Sequence, residues 1–255
     1  MSVFALPEGS YTIAQDKVFV PFNIDTDDMK DRPASLLIEI QPFLIELKND
    51  LLLCDTGLGY LNEQGEMTLF KNIKRHGFVP ENITKVLLTH LHFDHVGGAV
   101  QKTLDGLQLS FPNAIYYVQR GEYERAVSHA SKSYRIEIIE TLYHSGKLIL
   151  LDGDGKINDE ISYEITGGHT EFHQAYTIKN QDEIYFFGGD VLPDLYQLMR
   201  KFVAKYDYDG KTSAEKRVEF GNRSIEQNSI LLFYHSIKVP LCKIMKTEVG
   251  FRRRL

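Results

Sequence analysis

Four side chains able to bind a metal fall within six residues: His90, His92, Asp94 and His95, in Thr89-His90-Leu91-His92-Phe93-Asp94-His95. Imidazole nitrogen and carboxylate oxygen are the donors that zinc and related divalent ions take. Side chains two apart on an extended segment face the same way, so His90 and His92 can converge on one point. Asp94 and His95 follow where the chain turns and can address a second point nearby. The neighbours Phe93, Val96, Gly97 and Gly98 are apolar or small, which argues against a solvated polar loop. Four such groups would be a poor way to build an apolar core, so the pattern points to metal binding.

The elements around this motif must hold it in place. Ile83–His90 is an apolar run that predicts a buried strand ending at the motif. Upstream, residues 35–40, 42–47 and 51–55 read as short strands, with a hairpin turn at Lys48-Asn49-Asp50. Asp55 then ends a strand in a glycine-rich loop. Residues 67–78 predict a short helix closed by Gly77, and 95–104 predicts a helix weakened by its paired glycines. Downstream come a strand at 114–119, a mostly helical stretch over 121–147, a strand and a turn at Asp152-Gly153-Asp154-Gly155 within 147–157, and strands at 161–166, 174–179 and 183–190. A helix over 212–228 and a strand over 230–236 follow. Strands first cluster and then alternate with helices, which predicts a layered α/β architecture of sheets covered by helices. No repeat, linker or low-complexity tract divides residues 1–255, so a single domain is expected.

Composition limits the function. The 255 residues carry 29 Lys and Arg against 35 Asp and Glu, a net charge of −6. A nucleic-acid binder usually carries a basic surplus or stripe. The one basic run, Arg252-Arg253-Arg254, reads as a solvated tail. Cys54 and Cys242 sit in apolar runs and read as buried small hydrophobes, not a disulfide framework. No signal peptide and no membrane span are expected, which fits the cytoplasm. The acidic, Pro-containing segment 11–33 reads as a surface excursion, with a loop over the metal site as the alternative. His76, His129, His144 and His173 read as structural or surface residues.

His-x-His-x-Asp-His after an apolar strand resembles the metallo-β-lactamase superfamily, and further motifs occur in that family's order. Asp55 in Cys54-Asp55-Thr56-Gly57 resembles its early strand-end aspartate. His169 in Gly167-Gly168-His169-Thr170 resembles its next ligand histidine. Asp190 in Gly188-Gly189-Asp190 resembles the bridging aspartate, and His235 the last ligand histidine. The resemblance spans roughly residues 35–240. It implies an αββα sandwich, with two mixed sheets flanked by helices and metals at one edge. His90, His92 and His169 would bind one ion, Asp94, His95 and His235 a second, and Asp190 would bridge them. Asp55 would orient a ligand from behind.

The implied cofactor is two divalent ions, zinc by default. The implied activity is a hydrolase in which a metal-bound hydroxide opens a lactone or ester carbonyl, with Asp94 and Asp190 as the catalytic carboxylates. Two divalent ions against two carboxylates and one hydroxide leave a small positive charge, suited to an anionic transition state. The order of Gly189-Asp190-Val191-Leu192-Pro193, then Tyr206-Asp207, then a Lys- and Arg-bearing helix is similar to the branch of N-acyl homoserine lactonases and organophosphate hydrolases. Two departures stand out. Ser236 follows His235 where that branch commonly has Asp. Pro193 stands where the lactonases have a substrate-contacting tyrosine, and Tyr196 is the nearest replacement. The expected partner is a small ester or lactone, with no nucleic acid and no membrane. A homodimer is open. Alternatives are phosphotriester or thioester hydrolysis, and an iron-dependent oxidoreductase.

Overall fold

A computed structural model describes residues 3–254 apart from 130, 182 and 201. Two six-stranded mixed sheets dominate it. The first runs Val3–Ala5, Phe43–Glu46, Leu51–Cys54, Lys85–Leu87, Ile115–Gln119 and Leu148–Leu151 in spatial order. The second runs Gly155–Lys156, Ile161–Ile165, Gln174–Asn180, Glu183–Phe187, Ile230–Leu232 and Leu241–Cys242. Hairpins make most of the antiparallel pairs, while Val3–Ala5 joins Phe43–Glu46 from a distance. Parallel pairs need a crossover, supplied by helices at Thr68–Arg75, Arg120–Ser128, Ile136–His144 and Gly210–Glu226, and between Lys85–Leu87 and Ile115–Gln119 by the stretch 88–114.

Alternation along the strands creates the layers, because successive side chains point to opposite faces. In the first sheet Leu44, Leu53 and Val86 face the first helical layer, where Ile73, Ile139 and Leu142 pack on them. Their neighbours Phe43, Ile45, Leu52, Cys54 and Leu87 face the second sheet and meet Tyr176, Ile178, Tyr185, Phe187 and Leu232. On that sheet's far side, Ala175, Phe186 and Leu231 pack against Leu195, Leu198 and Phe220. The result is the αββα sandwich, and the strand runs expected from the sequence form its two sheets, except residues 35–40, whose strand Leu36–Ile40 pairs with Gly9–Ile13 instead. Both cysteines are buried.

The fold corrects several expectations. Residues 95–104 do not form one helix. Phe93–Val96 is a single turn, Gly97–Ala99 a 3-10 turn, and Val100–Thr103 a strand paired with Gly106–Leu109. Gly97 and Gly98 lie too close to the Leu58 and Thr56 carbonyls for any side chain, so a tertiary contact decides this segment. The stretch 121–147 breaks into two helices around residues 129–135. The segment 11–33 is only partly a surface excursion: Gly9–Ile13, Phe19–Pro21 and Leu36–Ile40 form a three-stranded sheet whose inner side covers the site. The C-terminal arginines are not a free tail. Gly250–Arg253 pairs with Ile244–Thr247, and Arg254 donates to Asn228 Oδ1 at 3.2 Å. No described helix is long and apolar enough to cross a membrane.

Candidate metal centre

The residues after strand Lys85–Leu87 leave the first sheet and cross toward the second. Leu88 N–H bonds Tyr117 O at 3.0 Å, and Gln174 N–H bonds Thr89 O at 3.0 Å. This bridge fixes His90 and His92 at the edge between the sheets, with ring centroids 4.5 Å apart. The turn Phe93–Val96 then presents Asp94 and His95. His169 comes from the loop before Gln174–Asn180, Asp190 from the 3-10 turn after Glu183–Phe187, and His235 from the segment after Ile230–Leu232.

All seven residues expected to act as ligands meet. Three donor sets each lie within 4.8 Å: His90, His92 and His169; His90, His95 and Asp190; and Asp94, His95 and His235. Asp190 spans them. Its Oδ2 is 3.2 Å from His169 Nε2, and its Oδ1 is 3.1 Å from His95 Nε2 and 3.0 Å from His235 Nε2. Asp94 Oδ2 is 3.6 Å from both His95 Nε2 and His235 Nε2. His90 Nε2, His95 Nε2 and Asp190 Oδ1 are buried, with no hydrogen-bond partner among the described residues. Unpartnered buried polar atoms are costly. Nitrogen and carboxylate donors converging in this way are the chemistry a divalent ion satisfies, so the residues fit one.

The opposite ring nitrogens are pinned. Asp55, fully buried and held at φ 55°, accepts from His95 Nδ1 at 2.7 Å and from the Thr89 hydroxyl at 2.8 Å. Thr89 Oγ1 in turn lies 3.0 Å from His90 Nδ1. One carboxylate therefore fixes a histidine of each outer set. His235 Nδ1 donates to Glu39 O at 2.7 Å. His169 Nδ1 lies 2.8 Å from Asp207 Oδ1, whose other oxygen is 3.7 Å from the buried Arg217 guanidinium. His173 is structural in a specific way: its Nε2 accepts from Asp190 N–H at 3.1 Å, and its Nδ1 donates to Thr166 at 2.6 Å. His76 stacks on Phe4, and His129 and His144 are exposed.

The field of the cluster is divided. Burial holds His90 and His92 well below the usual imidazole range, with the neighbouring histidines adding to it and, for His92, Lys17 as well. Burial opposes the charge on His95 and His235 too, but Asp190 and Asp94 outweigh it and raise both. The same histidines overcome burial at Asp190 and keep its carboxyl well below the ordinary range.

Three supports were given no role in the sequence reading. Asp207 falls in the Tyr206-Asp207 turn and Arg217 in the Lys- and Arg-bearing helix that carry the resemblance, but no local spacing marks them as partners of His169. Glu122, fully buried, accepts from Leu91 N–H, Tyr134 OH and Thr170 OH at 3.1, 3.2 and 2.7 Å, tying the two histidine loops together. Its only sequence signal is a carboxylate at the start of an amphipathic helix.

A cleft of about 1330 Å³ opens over the cluster, with His92, Asp94, His169, Asp190 and His235 on its floor. Phe19, Leu36, Ile38 and Phe202 supply apolar wall. Tyr196 lines it half exposed, and Tyr206 lies nearer the centre, its ring centroid 6.2 Å from that of His169. Burial, aided by Asp190 and Asp207, pushes the Tyr206 hydroxyl up to about 12, so it stays a neutral donor.

Comparison with known proteins places this geometry. Residues 40–220 match the model of the metallo-beta-lactamase superfamily. The chain belongs to that superfamily. An N-acyl homoserine lactonase of a Bacillus species is 28% identical over 169 residues, 58% of this chain and 62% of the relative. The chain thus spans less than two thirds of that relative's length. A hydroxyacylglutathione hydrolase of Haemophilus ducreyi is 31% identical over 111 residues, 44% of this chain and 36% of that protein. Among solved structures, a dizinc quorum-quenching lactonase shares the fold with a TM-score of 0.75 at 21% identity, over 99% of this chain and 93% of its own. A probable metal-dependent hydrolase from Staphylococcus aureus matches with the same score at 22% identity, over 95% and 91%.

Proposed function

We propose that this chain is a metal-dependent hydrolase that opens the carbonyl of a small lactone or ester. The observation that carries the proposal is the set of seven donors beneath the cleft, five of them on its floor, linked by the Asp190 carboxylate. His90, His92 and His169 would hold one ion, and Asp94, His95 and His235 the other, with Asp190 shared. Two divalent ions, zinc by donor chemistry, would supply a Lewis acid for the carbonyl and an acidified water for attack.

The protein's own groups do the rest. Asp55 and Asp207 keep His95 and His169 in the tautomer that turns the free nitrogen inward. Asp94, on the cleft floor, is placed to take the proton released as water adds and to return it to the leaving oxygen. Tyr206 is placed to donate a hydrogen bond to the substrate oxygen, a role the sequence alone would give to Tyr196. The apolar wall of Phe19, Leu36, Ile38 and Phe202 suits an acyl chain. The lactonase relatives support the lactone reading. The hydroxyacylglutathione hydrolase relative supports thioester cleavage as a second one.

The test is a panel of acyl lactones, aryl esters, thioesters and phosphotriesters, run beside elemental analysis. Turnover of lactones or esters by protein carrying about two metals per chain is expected. Less than one metal per chain after gentle purification, or turnover of phosphotriesters alone, would sink the proposal.

A further inference from the structure

The net charge of −6 is reversed at the mouth of the cleft. Lys17, Arg125, Lys132, Arg200, Lys205 and Lys238 all line it. Ion pairs among the described residues use other cations. Of the acids on the same wall, Asp94 and Asp190 belong to the donor sets, Asp207 is buried against His169, and Asp194 caps the helix Leu195–Met199. Glu171 and Asp194, which keeps its charge while it caps that helix, remain against six cations.

The basic side chains are placed by structure. Lys17 sits in the tight turn between strands Gly9–Ile13 and Phe19–Pro21, its N–H bonded to Ala14 O at 3.1 Å. It is held at φ 62°, a left-handed conformation that is strained for a non-glycine residue and that recurs at ligand clamps. Arg125 and Lys132 line the same wall and precede Tyr134, whose ring centroid is 5.2 Å from that of His92. Lys17, Arg125 and Lys132 thus stand on the cover and the wall around the His92 side of the cleft. Unpaired cations over a cleft raise the local concentration of anions and favour their binding.

We propose that the substrate carries an anionic group, a carboxylate or phosphate set some atoms away from the scissile carbonyl, and that Lys17 and Lys132 bind it. This deepens the hydrolase proposal and rests on it.

Metal-loaded protein is assayed with 4-nitrophenyl hexanoate and with its ω-carboxylate and ω-phosphate counterparts, at low and high salt. Calorimetry compares hexanoate with adipate as binders. An ω-anionic ester should be favoured in kcat/KM by on the order of tenfold at low salt, a preference that shrinks at high salt. Whichever anion is preferred identifies the group. In a Lys17→Gln, Lys132→Gln double variant, the ratio of anionic to neutral ester should fall toward one, and adipate should lose its advantage over hexanoate. Equal rates for neutral and anionic esters, with adipate no tighter than hexanoate, would overturn the proposal and leave the hydrolase intact. If neither these esters nor an acyl lactone is cleaved, the hydrolase proposal fails. The adipate comparison in wild type and variant then decides the anion site alone.

Discussion

Single side chains here work in pairs, a donor in front and a fixing group behind. Asp207 is the clearest case, since Arg217 holds it and it holds His169. Asp207→Asn should weaken metal affinity by about 10–100-fold, read by competition with a chelator, because groups that orient a ligand histidine carry that much. Unchanged affinity would make Asp207 a packing residue. The two tyrosines separate in the same spirit. Tyr206→Phe should lower kcat by about 10²–10³-fold, as loss of one hydrogen bond to developing charge does, and Tyr196→Phe should leave kinetics nearly unchanged; the reverse ranking would return the role to Tyr196. Glu8 gives a pH signature away from the metals. Burial raises its carboxyl to about 8, the Leu58 N–H bond at 2.8 Å only partly opposing this. Its folded value lies above the ordinary one, so its contribution to stability is whole below about pH 4.5 and is lost as pH rises through about 8. Glu8→Gln should therefore flatten the stability profile over that window and gain on wild type at pH 9, by at most about 5 kcal/mol. Parallel unfolding curves at pH 5 and 9 for the two proteins would contradict this.

Elements at the site are fixed by backbone contact as much as by side chains. The loop after Cys54 clamps the end of the motif: Thr56 N–H and its hydroxyl bond His95 O at 2.7 and 2.9 Å, and Gly98 N–H bonds Gly57 O at 3.1 Å. A Cβ at Gly98 would collide with the Thr56 carbonyl, a rigid backbone atom. Gly98→Ala should cost at least about 2 kcal/mol, seen as a drop in Tm of several degrees. An unchanged Tm would show that the clamp is loose. This contact also explains why 95–104 is not a helix. Its glycines weakened the helix pattern, but the sequence had no way to show what they were making room for. Strands with strong apolar runs, such as Leu51–Cys54 and Glu183–Phe187, were legible because burial on both faces demands that composition. Val3–Ala5 and Gly250–Arg253 were not. They are short, and their partners are chosen by distant or late packing, with Val3 opposite Ile45 and Arg253 opposite Ile244.

At the scale of the whole molecule, the site is a joint between two sheets, so what binds there ties the halves together. Metal that binds the folded chain and not the unfolded one stabilises it by about 4 kcal/mol at a thousandfold excess over Kd. Stripping with a chelator should lower Tm by about 10 °C, and restoring zinc should return it. A melting curve indifferent to chelation would argue that the donor sets are empty in solution. The sequence by itself determined one local cluster of donors. His90, His92, Asp94 and His95 are so close in the chain that local geometry alone brings them together. It also placed the strands whose apolar runs leave no other home. Only the tertiary structure decided that His169, Asp190 and His235, from loops up to 145 residues away from His90, arrive within reach. It alone set Asp207, Arg217 and Glu122 behind them and turned six scattered cations to one mouth. Those placements depend on which loops meet at a sheet edge, and no spacing along the chain encodes such a meeting.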